Sequence, residues 1–145
     1  TGWPPAGWSD GLRLQIGNWL ADCDWLLLNE VEALGLSGAE LLDESGKQLA
    51  ARLSGRGGCV IKCGAEGARL WSAASVQYAA AQPVTVVDTI GAGDSFNAGF
   101  LTALLYHQPS HTALRWGIEV ASQAISSSPR RYPSWQQLQL SNEVR

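Results

Sequence analysis

The stretch that most constrains this chain runs from Val84 to Tyr106. A short β-branched run, Val84 to Val87, reaches Asp88; a turn carrying Gly91 and Gly93 follows; an apolar helical stretch then runs from about Ala92 to Tyr106. A strand that ends in glycines directly ahead of a helix is a βα junction, and it commits the chain to layers in which helices cover a sheet. The two glycines let the backbone turn sharply and leave room for a ligand to approach. The first amides of the helix have no intrahelical acceptor and carry the positive end of its dipole. Gly91, Ala92 and Gly93 therefore outline a concave anion site suited to a phosphate.

Asp94 sits awkwardly in such a site, because a carboxylate repels phosphate. Its placement is useful if it accepts the proton of a hydroxyl that attacks phosphorus, while the amides stabilise charge on the group being transferred. The alternative is that Asp94 caps the helix.

The rest of the chain agrees with the layered architecture. Residues 1–10, rich in Gly, Pro and Trp, read as a loop, and Leu12, Ile16, Trp19 and Leu20 give an amphipathic helix to Ala21. Trp25 to Leu28 has the continuous apolar character of a strand buried on both faces. A helical stretch is expected from Gly38 to Leu53, bent near Ser45-Gly46. Strands follow at Cys59–Cys63, Ala68–Trp71, Ser75–Ala80 and Val84–Val87, then helices at Ala92–Tyr106, Leu114–Ile125 and Trp135–Leu140. The expected fold is α/β, a mainly parallel sheet flanked by helices, in one domain over residues 1–145.

Composition narrows the function classes. At 46% hydrophobic residues the chain can build a core, which excludes disorder, yet it has no apolar run long enough to span a membrane. A net charge of −3 gives nucleic acid and anionic lipid no reason to bind. Three cysteines without C-x-x-C exclude a disulfide framework and a zinc site, and point to a reducing cytoplasm. Cys59 and Cys63, four apart on a strand, share a face as buried thiols. Pro109 breaks the register of His107 and His111, which read as surface loop rather than metal ligands. Arg130-Arg131 reads as a solvated turn, with a phosphate contact as the alternative. The chain has no methionine and opens Thr1-Gly2-Trp3, so we expect a segment to be missing on the N-terminal side.

The run Asp88-Thr89-Ile90-Gly91-Ala92-Gly93-Asp94-Ser95-Phe96 resembles the D-T-x-G-A-G-D-x-F pattern of the ribokinase-like (PfkB) carbohydrate kinases, with every fixed position present. The resemblance implies a partial ribokinase-like fold, with Asp94 as catalytic base and Gly91, Ala92 and Gly93 as the anion hole. It also implies a monovalent cation, K⁺, beside the loop, held by Asp88 and the backbone of Ile90. Asn29-Glu30-Val31-Glu32, after a strand, resembles the family's N-x-x-E motif, which would give Asn29 and Glu32 to the nucleotide phosphates and Mg²⁺. The alternative is a helix cap at Asn29 and a solvated first-turn acid at Glu32. Lys62-Cys63-Gly64-Ala65-Glu66-Gly67 resembles the strand-turn segment that borders ATP; Lys62 would face the phosphates, and Gly64, Glu66 and Gly67 would line the nucleotide. A plain hairpin turn explains the same residues.

Members of that family are commonly about twice this length, and this sequence resembles their C-terminal half, without the sugar-binding half and its lid. Where the family carries a glycine-alanine loop near adenine and the cation, this chain reads Ser126-Ser127-Ser128-Pro129-Arg130-Arg131-Tyr132-Pro133. The resemblance implies an ATP-dependent sugar kinase whose partners are ATP and a small sugar, a homodimer in its full-length form. The alternative is a truncated, non-catalytic fragment that keeps only the nucleotide cradle.

Overall fold

The computed structural model describes residues 4–143. Of the loop expected at 1–10, residues 1–3 lie outside the described residues. Helix α1 spans Asp10–Leu20 and starts where Ser9 accepts a hydrogen bond from Leu12 N–H (3.2 Å). Strand β1 (Trp25–Asn29) leads into α2 (Glu30–Ser37), and α3 (Leu42–Arg52) leads to β2 (Gly58–Lys62). Strands β3 (Ala68–Trp71) and β4 (Val76–Ala79) follow, then helices α4 (Ala92–Leu105), α5 (Ser110–Ile125) and α6 (Trp135–Glu143). The sheet has the order β1-β2-β3-β4; β1 and β2 run parallel, with Leu27 opposite Val60 and Asn29 opposite Lys62. No helix among the described residues is long and apolar enough to cross a membrane.

Four expectations need correction. The helix expected over Gly38–Leu53 is two helices, because Gly38 takes the left-handed conformation (φ 72°) that ends α2. Ser45-Gly46 does not bend α3. The Ser45 hydroxyl donates to the Ala33 carbonyl (2.9 Å), and the Gly46 backbone meets the ring of buried Trp71, which leaves no space for a side chain. The third correction concerns β1: it is half-buried, as the end strand of this sheet, whereas β2 is the strand buried along nearly its whole length. Finally, Val84–Val87 is not a strand: its valines are 39–56% exposed, and the Val87 amide donates instead to the Ile125 carbonyl (2.7 Å) at the end of α5.

The chain divides into two compact units, residues 1–63 with 69–77, and residues 64–68 with 78–145. The first unit is built on Leu20, Ala33, Leu36, Leu49, Cys59, Ile61, Cys63 and Trp71. Cys59 and Cys63 share that core face, as expected, and burial pushes the Cys59 thiol up to about 12, so it is inert at neutral pH. In the second unit α4 packs along α5 through Phe96, Gly99, Phe100 and Ala103 on one side and Ala113, Trp116, Gly117 and Val120 on the other.

A polar clasp closes the entry to β1. The Ser54 hydroxyl (2.6 Å) and Arg56 Nε (2.9 Å) both donate to Asp24 Oδ1. The hydroxyl first, and then the guanidinium, hold the Asp24 carboxyl below its ordinary value of 3.8. A carboxylate depressed in the folded state stabilises above its unfolded value, and that contribution is lost as pH falls through the folded one. Thermal melts of wild type and Asp24→Asn are therefore expected to differ at neutral pH and to converge below about pH 4. A difference that persists unchanged into acid would contradict the clasp.

Candidate active site

In the first unit a group of candidate residues lies at the carboxyl ends of the parallel strands, where α/β sheets place ligands. Asn29 ends β1 and Lys62 ends β2, and the parallel register sets them side by side. Asn29 is also the N-cap of α2: its side-chain oxygen accepts from Glu32 N–H (2.8 Å), and Glu32 Oε2 accepts from Asn29 N–H (3.0 Å). Asn29 therefore caps α2 as the alternative reading had it, but Glu32 is not simply a solvated acid: its carboxylate closes a reciprocal capping box. It leaves the Asn29 amide nitrogen and Glu32 Oε1 outside the box. An amide and one carboxylate oxygen suit a magnesium ion that keeps most of its waters and is held mainly by phosphates. Among the described residues no cluster of three or more metal-ligating side chains occurs, His107 and His111 included.

The second unit carries the glycine turn and Asp94. The Thr89 carbonyl accepts from Ala92 N–H (3.1 Å), with Gly91 at φ 74° and ψ 10°. That is the left-handed conformation a type II turn requires at its third residue, which is why glycine stands there. Ala92 N–H is therefore committed to closing the turn and is not available to an anion. The amides of Gly91, Gly93 and Asp94 make no hydrogen bond to another described residue, and Ser95 N–H makes the first helical bond, to Gly91 (2.9 Å). Of the expected amides of Gly91, Ala92 and Gly93, that of Ala92 is thus taken by the turn, and the amide of Asp94 stands without an acceptor in its place.

Asp94 is exposed in the first turn of α4, and its carboxylate accepts no hydrogen bond and forms no ion pair among the described residues. The cap of α4 is Gly91, without any side-chain bond, so Asp94 does not cap the helix. Its position is held from the opposite side of α4. Phe96 stacks on Phe100 with ring centroids 6.2 Å apart and lies against Gly117, where an added Cβ would fall 2.8 Å from the ring.

Both carboxylate oxygens of Asp88 have a partner. Its Oδ1 accepts from Ile90 N–H (2.9 Å) and its Oδ2 from Arg130 Nη2 (3.0 Å). A guanidinium already occupies the carboxylate face that a monovalent cation needs, and it would repel one. The donor set of Asp88 and Ile90 does not fit K⁺. Nothing local in the sequence ties Arg130 to Asp88, which lies 42 residues earlier. The one hint was that Ser126–Pro133 lacks the glycines of the loop it resembles.

The turn after β2 shows the geometry of a hairpin. Gly64 (φ 54°) and Gly67 (φ 110°) close it with Gly67 N–H donating to Gly64 (3.1 Å). Gly67 packs directly on the Ala79 carbonyl, so its lack of a side chain is structural. Gly64, in contrast, has open space around it, and Glu66 is exposed while its carbonyl accepts from the Tyr78 hydroxyl (2.7 Å). The second unit also holds a cavity of about 130 Å³ lined by Gln82, Val84, Arg115, Glu119, Ser122 and Gln123, well below the ~300 Å³ at which small-molecule sites begin.

A family model described as pfkB family carbohydrate kinase matches residues 1–137. The chain is 47% identical over 70 residues to 1-phosphofructokinase of Escherichia coli K12, covering 48% of this chain and 22% of that enzyme. It is 33% identical over 106 residues to the ribokinase of Haemophilus influenzae, covering 71% of this chain and 35% of that one. Its fold superposes with a TM-score of 0.73 and 26% identity on aminoimidazole riboside kinase from Salmonella enterica, complexed with aminoimidazole riboside and an ATP analogue, over 90% of this chain and 46% of that one. The chain thus spans less than half the length of the proteins it matches here.

Proposed function

We propose that this chain, which belongs to the pfkB family of carbohydrate kinases, carries the nucleotide-binding and proton-accepting part of an enzyme that transfers the γ-phosphoryl of ATP to a sugar hydroxyl. One observation carries this reading. The first turn of α4 presents unengaged amides beside an Asp94 carboxylate that is itself unengaged. A structural cap would have used that carboxylate, and a site evolved only to bind phosphate would not contain it.

In this reading the amides of Gly91, Gly93 and Asp94 hold the oxygens of the transferring phosphoryl, preset by the type II turn before any ligand arrives. The Asp94 carboxylate accepts the proton of the sugar hydroxyl as its oxygen attacks phosphorus. Lys62 and Asn29, paired at the strand ends, orient the nucleotide phosphates, and Glu32 holds the waters of Mg²⁺. A Mg²⁺ ion held there would supply charge that offsets the phosphates. Phosphoryl transfer depends mostly on positioning and charge, which a rigid turn on a packed helix supplies. Gly64, whose surroundings are open, lets the backbone after β2 border the nucleotide, with Glu66 beside it.

The alternative reading is a nucleotide cradle without turnover. Coupled ADP release from Mg·ATP, measured with a panel of ketoses, aldoses and keto-deoxy acids, separates the two. Sugar-dependent ADP release is expected from the kinase. Calorimetric binding of Mg·ATP without turnover for any sugar would support the cradle, and neither binding nor turnover would contradict both.

A further inference from the structure

We infer that Arg130 is the resident cation of the phosphoryl turn, and that it makes nucleotide binding independent of added monovalent cations. The inference rests on the kinase reading and goes beyond it. Two carboxylates, Asp88 and Asp94, lie on the turn that is to hold an anion, and each opposes a phosphate. The Arg130 guanidinium pairs with Asp88 (3.0 Å) and flanks the turn itself, because an added Cβ at Gly91 would fall 3.3 Å from its Nη1. A guanidinium carries five N–H donors and keeps its charge at every physiological pH. One donor goes to Asp88, and those of Nη1 lie beside Gly91, the residue that begins the amide set.

The placement is built from both ends. Val87 N–H (2.7 Å) and Asp88 N–H (3.2 Å) donate to the Ile125 carbonyl, which fixes the approach to the turn on the last residue of α5. Beyond α5, the Ser127 hydroxyl donates to the Gln123 carbonyl (2.6 Å) and accepts from Arg131 N–H (2.7 Å), which folds the Arg130 segment back on the same helix end. The side chain is only 28% exposed. A solvated turn arginine would have neither the partner nor the cover.

The test is calorimetric binding of Mg·ATP and of adenosine to the full chain, as wild type and as Arg130→Gln, in tetramethylammonium chloride and in KCl. Wild type is expected to bind Mg·ATP equally in both salts. Arg130→Gln is expected to lose about 10- to 100-fold in Mg·ATP affinity without losing adenosine, the range of a charged hydrogen bond. Millimolar guanidinium or K⁺ is expected to restore part of that loss, which a purely structural role would not allow. Unchanged Mg·ATP affinity in Arg130→Gln, or a wild type that needs K⁺, overturns the inference and leaves the kinase reading standing. If Arg130→Gln loses both ligands, guanidinium rescue decides: recovery of Mg·ATP supports the inference and no recovery overturns it. A wild type that binds no nucleotide in either salt overturns both.

Discussion

Asp94→Asn is expected to lower sugar-dependent turnover by about 10²–10⁴-fold while Mg·ATP affinity stays within a few-fold. Asparagine keeps the volume and the helix of the native residue but cannot take a proton. The amides of Gly91, Gly93 and position 94 belong to the backbone and survive the change, so the phosphate cradle is intact. No described residue depends on the Asp94 carboxylate for a hydrogen bond or an ion pair, which makes the variant structurally quiet. Removing a charge from an anion site can only favour phosphate. Loss of ATP binding with turnover retained would show that the carboxylate supports the turn rather than the chemistry. Steady-state ADP release and calorimetry on the same preparation read the two quantities separately.

The second large effect is on stability. Gly99→Ala is expected to cost about 2–3 kcal/mol, lowering Tm by about 6–12 °C. An alanine Cβ at 99 would fall 2.6 Å from the Trp116 carbonyl oxygen and 2.8 Å from Val120 Cγ2. The first of these is backbone of α5, so the two helices must part to admit it. The helix that carries Asp94 would then move against the one that carries Ile125, and turnover should fall with stability. Gly11→Ala in α1 provides the control, since nothing lies within 4 Å of the added atom. There the lower entropy of the unfolded chain should give about 0.5–1 kcal/mol of stabilisation. Equal effects at the two positions would show that helix propensity, not the close approach of α4 and α5, sets the cost at Gly99.

What could be read in the sequence was whatever is encoded over a few consecutive residues. The turn and the start of α4 follow from Gly91 and Gly93, because only a left-handed residue closes that turn and only the first amides of a helix lack acceptors. Asp94 stood out as a negative charge among helix-start amides that lack acceptors. Asn29 was legible as a helix cap, whereas Glu32 read as a solvated acid until the structure showed its carboxylate accepting from Asn29 N–H. The short helix α2 was missed, as Glu30 to Ser37 alone is ambiguous and only Gly38, read as a stop rather than a start, marks its end. Val84–Val87 misled in the other direction: β-branched residues favour strands, yet propensity yields where no neighbouring strand pairs with them.

Pairings between distant residues belonged to the tertiary structure. Ser45 and Gly46 read as a helix breaker until Trp71 and Ala33 close on them, and a buried hydroxyl with an acceptor is a packing device. Arg130 read as a solvated turn because its partner lies 42 residues earlier, and only the fold of α4 against α5 brings the two onto one helix end. Local sequence thus determined the turn, the place of Asp94 at the start of α4 and the strand-end cap, since backbone conformation and capping act over three or four residues. Which charge faces which, and so whether the turn needs a cation from solution, depends on long-range packing that no local pattern encodes.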